Sequence, residues 1–141
     1  MKRQGILNSG LSGVVARLGH GDMLLIGDVG CAFPEKDIPV IDLAVSEGIP
    51  TVADVLGPIL EELVVERYIL AEEALTASPN AIRVLDDLVL SGSTGISIER
   101  QILPHAQIKK LWLNGEQMRA FVRTGEYTSW GYIILVAGVS F

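Results

Sequence analysis

The sequence predicts one three-layer α/β/α domain, in which helices cover both faces of a mainly parallel sheet. Segments with apolar residues at helical spacing alternate with short, continuously apolar segments, an order typical of parallel sheets. The chain is 49% hydrophobic but only 6% aromatic, so its apolar residues are mostly aliphatic, as in strands buried on both faces. No repeat, charge block or linker divides the 141 residues, and we therefore assign residues 1–141 to a single domain.

The first predicted helix is followed by a strand in the interior of the sheet. Apolar residues recur at helical spacing across residues 11–18, and Gly19 is a typical stop signal. Asn8 or Ser9 is suited to the N-cap of this helix. Residues 23–26 (MLLI) are apolar at every position, which indicates a strand with both faces covered.

Two strands and one helix are predicted in the middle of the chain. Residues 40–45 form a short strand candidate, and residues 64–71 form a longer one. Between them, residues 52–63 have the spacing of an amphipathic helix, with Thr51 as its N-cap. Pro58 lies inside this pattern, so we expect either a kink or a new start of the helix there.

The second half of the chain continues the alternation. Ser78 and Pro79 open a helix, because serine is a good N-cap and proline fits the first helical position. The core face of this helix is predicted to contain Ile82, Leu85, Leu88 and Val89. The remaining predictions are a flexible turn at residues 91–95, a strand at 96–102, a short helix at 104–111, and strands at 120–122 and 132–136.

The composition argues against several classes of partner. Seventeen acidic residues against eleven basic ones give a net charge of −6, so we expect no nucleic-acid partner. A single cysteine excludes an internal disulfide framework. The apolar runs are shorter than the roughly 18 residues of a membrane helix, and the first residues lack the apolar stretch of a signal peptide. We therefore expect a cytoplasmic protein without membrane contacts and, given a mean hydropathy of +0.40, an oligomer that covers apolar surface.

Familiar catalytic motifs are absent from the sequence. The glycines of residues 27–30 (GDVG) lack the spacing of a dinucleotide-binding fingerprint, and neither a P-loop nor a Gly-x-Ser-x-Gly motif is present. No Cys/His set has zinc-ligand spacing. We therefore expect no cofactor and no metal, so that any reaction depends on side-chain acids and bases. This expectation favours isomerisation, hydration or simple binding over redox chemistry or phosphoryl transfer.

His20 and Asp28 are candidate site residues by their position. His20 lies in a glycine-flanked loop before the first predicted strand, and Asp28 directly follows that strand. Ligands of open α/β sheets bind outside the carboxyl ends of the strands, and histidine titrates near neutral pH. Position alone nevertheless favours the alternative in which His20 is a surface loop residue and Asp28 a turn residue.

Other chemically notable residues have simpler interpretations. Cys31 is typical of a small buried hydrophobic residue. The acidic pairs at residues 61–62 and 72–73 are most simply solvated ends of helices or strands. Trp112 and Trp130 are more often packing residues than ligand platforms.

Several segments in register resemble the D-ribose pyranase and L-fucose mutarotase family, the RbsD/FucU-like sugar ring isomerases. The resemblance runs over essentially the whole chain, so that no single motif carries it alone. The segments are residues 5–9 (GILNS), 18–22 (LGHGD), 28–30 (DVG), 41–44 (IDLA), 71–73 (AEE), 123–126 (RTGE) and 137–141 (AGVSF).

The resemblance implies both an assembly and an activity. Members of this family form ring-based homo-oligomers, commonly a decamer of two pentamers, with sites between neighbouring copies. They are cofactor-independent isomerases that interconvert the pyranose and furanose forms, or the anomers, of a free monosaccharide. By resemblance His20 is the proton donor, and Asp28 and His105 contact the sugar.

One segment departs from the family's pattern. Where the family usually has Tyr-Ala-Asn or Tyr-Gly-Asn in contact with the sugar, this chain has Trp130-Gly131-Tyr132. Tryptophan keeps a ring that can stack on a sugar face, but tyrosine removes an amide that both donates and accepts. We expect Trp130 and Tyr132 to bind the substrate, with D-ribose as the first candidate. A different sugar such as fucose, and a carbohydrate-binding or assembly protein without turnover, remain alternatives.

Overall fold

A six-stranded sheet runs through the part of the chain that the computed structural model describes, residues 1–34, 37–92 and 97–141. Its strands are β1 (Met23–Gly27), β2 (Val40–Asp42), β3 (Val65–Ala71), β4 (Glu99–Leu103), β5 (Met118–Arg123) and β6 (Ile133–Ala137). Their order across the sheet is β2-β5-β1-β6-β3-β4. β5 is parallel to β1 and β2, and β4 is parallel to β3, whereas β6 is antiparallel to both of its neighbours. The strands β1 to β5 therefore end at one edge of the sheet, where β6 begins.

The two central strands form the middle of the hydrophobic core. Every residue of β1 and β6 is buried, and the two strands pair directly with each other. Both are almost entirely aliphatic because both of their faces are covered. This confirms the interior strand predicted at residues 23–26. By contrast β2 lies at the edge of the sheet, is exposed at two of its three residues, and is shorter than the strand predicted at residues 40–45.

The helices are α1 (Ser9–Val15), α2 (Val52–Leu60), α3 (Ala74–Ala77), α4 (Pro79–Gly92) and α5 (His105–Asn114). The predicted caps are present: the Asn8 side chain accepts the Leu11 N–H at 2.9 Å, and Thr51 forms a capping box with Asp54. α2 packs against α4 and β1, whereas α1 and α5 pack against β5. The predicted α/β class with a mostly parallel sheet is confirmed. Within the described ranges, none of the helices has the length and apolar character that crossing a bilayer would require.

Several predicted boundaries were wrong. α1 ends at Val15 rather than near Gly19, and the four-residue α3 was not predicted. α4 continues through Ser91 and Gly92, which were predicted to begin a flexible turn. The rest of that turn and Ile96, the predicted start of the next strand, lie outside the described residues. Apart from α3, these differences fall at the ends of elements, where local pattern carries the least information.

Candidate functional site

A cavity of about 510 Å³ opens at the edge of the sheet where β1 and β4 end. Residues from three places line it: the loop after β1, the helix α5, and the loop between β5 and β6. Asp28, His105, Trp130 and Tyr132, the four residues predicted to bind substrate, all line this cavity. The parallel strands explain why these four residues lie together, because residues that follow parallel strands lie at the same edge of the sheet.

Asp28 is held at the cavity by the turn that follows β1. Its Oδ1 accepts the N–H of Gly30 at 2.9 Å, and the Cys31 thiol donates to the same carboxylate. Burial raises the pKa of Asp28, the hydrogen bonds from residues 30 and 31 lower it, and the charge of Glu126 raises it. The net pKa lies above the ordinary value, so this carboxyl group takes up a proton more readily than an exposed aspartate.

His105 is fixed by contacts at the start of α5. Its backbone N–H donates to Glu73 Oε2 at 2.9 Å, and its Nδ1 lies 2.7 Å from the Tyr132 hydroxyl. Its ring packs edge-on against Trp112, with 5.6 Å between the ring centroids. Glu73, expected to be a solvated residue, instead accepts one of the N–H groups that have no partner within the first turn of a helix. Neighbouring side chains therefore determine the orientation of the imidazole.

Tyr132 lies on the buried side of the cavity. It is 1% exposed, and its ring centroid is 5.3 Å from that of Trp112 and 5.8 Å from that of His105. Burial raises the pKa of the Tyr132 hydroxyl, and neighbouring acidic groups raise it further, so the phenol keeps its proton. The hydroxyl forms a hydrogen bond with His105 in the cavity wall.

Trp130 lies in a strained loop that Glu126 holds in place. The φ angle of Trp130 is 52°, a left-handed conformation that costs a residue with a side chain roughly 1–2 kcal/mol. Glu126 Oε1 accepts the N–H and the hydroxyl of Thr128 at 3.2 and 2.6 Å. Its Oε2 accepts the N–H of Val52 at 3.3 Å, at the start of α2. Strained residues of this kind cluster at binding sites, where the surrounding structure holds them.

Other cavity residues were not identified from the sequence. Lys109 and Trp112 line the cavity four and seven residues after His105. This spacing puts three side chains on one face of a helix, so the signal was present in the sequence. Glu126 and Tyr127 also line the cavity.

Cys31 is a further lining residue, and its surroundings make it unreactive. Burial raises the pKa of its thiol, and the neighbouring Asp28 charge raises it further. A protonated thiol is a poor nucleophile but a hydrogen-bond donor. Cys31 therefore supports the Asp28 carboxylate rather than attacking a ligand.

His20 does not lie at this cavity within one chain. It precedes β1, whereas Asp28 follows it, and the five residues of β1 alone separate the two edges of the sheet by roughly 13 Å. The His20 side chain is 62% exposed, and its Nε2 lies 2.8 Å from Glu66 Oε2 near the start of β3. A ligand that contacts both His20 and Asp28 must therefore lie between two copies of the chain.

The cavity residues together suit a small polar ligand. They provide two carboxyl groups, an imidazole and an ammonium group beside two indole rings. Such groups donate, accept and exchange protons with hydroxyl groups, while the rings cover an apolar face. Within residues 1–34, 37–92 and 97–141, no three His, Cys, Asp or Glu side chains are grouped so that they could hold a metal ion.

Comparisons with known proteins are consistent along the whole chain. Residues 1–140 match the model of the RbsD / FucU transport protein family. The chain is 43% identical over 141 residues to a D-ribose pyranase of Pseudomonas fluorescens and 42% identical over 145 residues to one of Lactobacillus acidophilus, with 100% of each chain covered. The structure of Bacillus subtilis RbsD complexed with D-ribose matches with a TM-score of 0.87 at 35% identity, covering 100% of both chains. FucU from Bifidobacterium longum shares the fold, with a TM-score of 0.76 at 20% identity and 96% of each chain covered.

Proposed function

Because the chain belongs to the RbsD / FucU transport protein family, we propose that it is an isomerase that interconverts the pyranose and furanose forms of D-ribose. The observation that carries this proposal is the match to D-ribose pyranases from end to end. The cavity adds physical support, since its acid and base groups lie where a sugar with several hydroxyl groups would bind. The same groups would serve the exchange of anomers, which passes through the same open-chain form.

The chemistry requires only two proton transfers. A cyclic aldose is a hemiacetal, so ring opening needs a proton delivered to the ring oxygen as its bond to the anomeric carbon breaks. The proton of the anomeric hydroxyl is removed in the same process, and ring closure reverses both transfers onto another hydroxyl. A positioned acid or base typically accelerates such a step by about 10²–10⁴-fold.

The cavity residues divide into sugar ligands and supporting groups. Asp28 accepts hydrogen bonds from sugar hydroxyl groups, because a carboxylate accepts on two oxygens. His105 offers Nε2 to the sugar, since Tyr132 occupies its Nδ1. The ring of Trp130 covers one sugar face, and Lys109 donates from the next turn of α5. In this arrangement Tyr132, which stands where the family usually has asparagine, acts by orienting His105.

His20 acts as the proton donor in the cavity of a neighbouring copy. Its exposed imidazole lies at the edge of the sheet opposite to the cavity, where a second chain can approach it. Exposed apolar side chains near the cavity support an assembly, since Tyr127, which lines it, is 68% exposed and Phe33, next to the lining residue Ala32, is 55% exposed. The ring-based decamer implied by the family resemblance and the cytoplasmic location expected from the sequence belong to this proposal.

The decisive experiment measures exchange between the ring forms of ribose. Saturation-transfer NMR of D-ribose with and without the protein should show faster exchange, and a panel with fucose, galactose and other aldoses should show ribose as the sugar with the strongest response. No acceleration for any sugar, together with thermal stabilisation by sugars, would instead establish the second candidate, a carbohydrate-binding protein without turnover. That candidate is favoured by the substitutions at Trp130 and Tyr132 alone.

A further inference from the structure

β3 contains an irregularity opposite the end of β6. In this antiparallel pair, Val65 pairs with Ala137, but Arg67 pairs with Val136. Glu66 is therefore an extra residue between two successive pairs, which defines a β-bulge. A bulge bends its strand and redirects the side chain of the extra residue, and bulges are frequent next to active sites.

A glycine allows β6 to approach this bulge closely. Gly138 donates its N–H to the carbonyl of Val64 at 2.8 Å. A Cβ at position 138 would lie 3.0 Å from Cβ of Glu66 and 3.3 Å from its backbone nitrogen, which is tighter than ordinary contact. The bulge and the end of β6 therefore pack closely together, and this packing fixes the position of the Glu66 backbone and Cβ.

The loop that contains His20 is attached to the same end of β6. Gly21, with a φ angle of +81°, donates its N–H to the carbonyl of Ala137 at 2.8 Å, and Ala137 donates back to the carbonyl of Asp22 at 2.8 Å. The Asp22 carboxylate accepts the N–H of Gly19 at 2.8 Å and is held by Arg119 at 2.7 Å. Both sides of His20 are thus anchored, although its side chain is exposed.

The two side chains meet at a single short contact. His20 Nε2 lies 2.8 Å from Glu66 Oε2, and the Glu66 side chain is 39% exposed. Exposed ion pairs of this kind contribute little to stability. The bulge, the close glycine and the anchored loop fix the positions from which the two side chains extend. Because the ion pair itself adds little stability, we attribute this arrangement to orienting the imidazole.

We infer that Glu66 is a positioning residue for His20, which accepts the Nε2–H of the imidazole and so makes Nδ1 the nitrogen that exchanges a proton with the sugar. The hydrogen bond made by one ring nitrogen determines which nitrogen of a neutral histidine carries the proton. In the neutral ring Nδ1 then has a free lone pair, and in the protonated ring it carries the proton that passes to the sugar ring oxygen. Ring closure returns that proton to Nδ1, so none is consumed. This inference rests on the proposed function of His20.

The nitrogen assignment can be measured directly, because the chain has only two histidines. We expect ¹⁵N NMR of the histidine-labelled protein to show neutral His20 with its proton on Nε2, with the His20→Ala spectrum assigning the signals. In Glu66→Ala the proton should be shared between the two nitrogens. A neutral His20 with its proton on Nδ1 in the unchanged protein would overturn the inference.

Kinetics separate positioning from a structural role. Partners that orient a histidine through a hydrogen bond typically change activity by about 10–100-fold, so Glu66→Ala should lower kcat for ribose exchange by that factor with little change in KM. Glu66→Gln should recover part of the rate, because an amide oxygen still accepts the Nε2–H. Glu66→Ala should have no further effect in a His20→Ala background.

The matched control is Glu99→Gln, which removes a negative charge from an exposed residue at the start of β4, at the same edge of the sheet. It should leave both kcat and the tautomer of His20 unchanged. If the unsubstituted protein is active and Glu66→Ala has the same kcat, the positioning role alone is overturned. If the unsubstituted protein accelerates ring exchange of no sugar, the proposed function is overturned, and the positioning role with it.

Discussion

The two edges of the sheet present their histidines in opposite ways. At the carboxyl edge, His105 is half-buried, is held by Glu73 and Tyr132, and lies in a cavity built within one chain. At the amino edge, His20 is exposed, and Glu66 is the partner of its side chain. Binding groups are thus assembled by the fold of a single copy, whereas the proposed proton donor is presented outward. Sugar binding and sugar turnover should therefore be separable by mutation.

The largest effect is expected at the amino edge. His20→Ala should remove the acceleration of ribose ring exchange, a loss of about 10²–10⁴-fold if this side chain is the proton donor. Sugar-dependent thermal stabilisation should persist, because the cavity of each copy is unchanged. Arg17→Ala, an exposed residue before the same loop, is the matched control. Retention of full exchange activity in His20→Ala would remove His20 from the mechanism.

Mixed assemblies test whether the two edges meet between copies. His20→Ala and Asp28→Asn subunits, each impaired alone at a low ribose concentration, should recover activity when they are unfolded and refolded together. Recovery is expected because some neighbouring pairs then combine an intact His20 with an intact Asp28. The absence of any recovery in confirmed mixed oligomers of the two variants would contradict a shared site.

A smaller effect is expected at the carboxyl edge. Asp28→Asn should weaken ribose binding by about 10–100-fold, the factor that corresponds to losing a buried hydrogen-bond partner worth about 1–3 kcal/mol. Titration calorimetry measures this change, and Asp37→Asn, which is exposed and outside the cavity, is the control.

The same variant carries a pH-dependent prediction. Burial raises the pKa of Asp28 in the folded protein, so the folded state binds more protons than the unfolded state as pH rises through the interval between the two pKa values. The free energy of unfolding therefore falls across that interval, and this loss is absent in Asp28→Asn. We expect Asp28→Asn to melt at a higher temperature than the unchanged protein at pH 7, with a difference that shrinks in acid. An equal difference at all pH values would contradict the raised pKa.

Tyr132→Phe should have a moderate effect that is centred on His105. The variant keeps the ring that packs against Trp112 but removes the hydroxyl 2.7 Å from Nδ1. Losing this hydrogen bond should lower the free energy of unfolding by about 1 kcal/mol, and the ¹⁵N signals of His105 should change while those of His20 do not. Tyr127→Phe, whose side chain is exposed, should change neither measurement.

The smallest expected effect concerns α5. Lys109→Ala should weaken ribose binding by about fivefold, equivalent to one ordinary hydrogen bond of about 1 kcal/mol. Lys110→Ala removes the same charge one position along the helix, outside the cavity, and should leave affinity unchanged. Equal affinities in the two variants would exclude Lys109 as a sugar ligand.

Local patterns predicted much of the fold, including its mostly parallel sheet, but not the reversed direction of β6. The apolar run at residues 23–26 indicated both a strand and its interior position, because burial on both faces determines its composition. The same kind of run at β6 carried no information on its antiparallel direction, which depends on the chain path. The helix α3 was missed because four residues are too short for a helical period to be visible.

The candidate site shows a similar limit. Asp28 was a candidate by its place after a strand and was assigned to the sugar only through the family resemblance, whereas Lys109 could have been considered from its spacing to His105. The contact between His20 and Glu66 could not, because it joins residues 46 positions apart through a bulge and the end of a third strand. Similarity to a family indicated His20, but only the structure placed it at the far edge of the sheet from the cavity.

The antiparallel strand β6 has a consequence for how new sugar preferences can arise. It begins directly after Tyr132 at one edge of the sheet and ends at Ala137, which anchors the His20 loop at the other. Insertion or deletion of one residue within β6 would turn every following side chain of the strand to the opposite face and displace the attachment of the His20 loop. Substitutions beside the strand can change the cavity without altering the length of β6. The residues at positions 130 and 132 differ from the family's pattern by substitution.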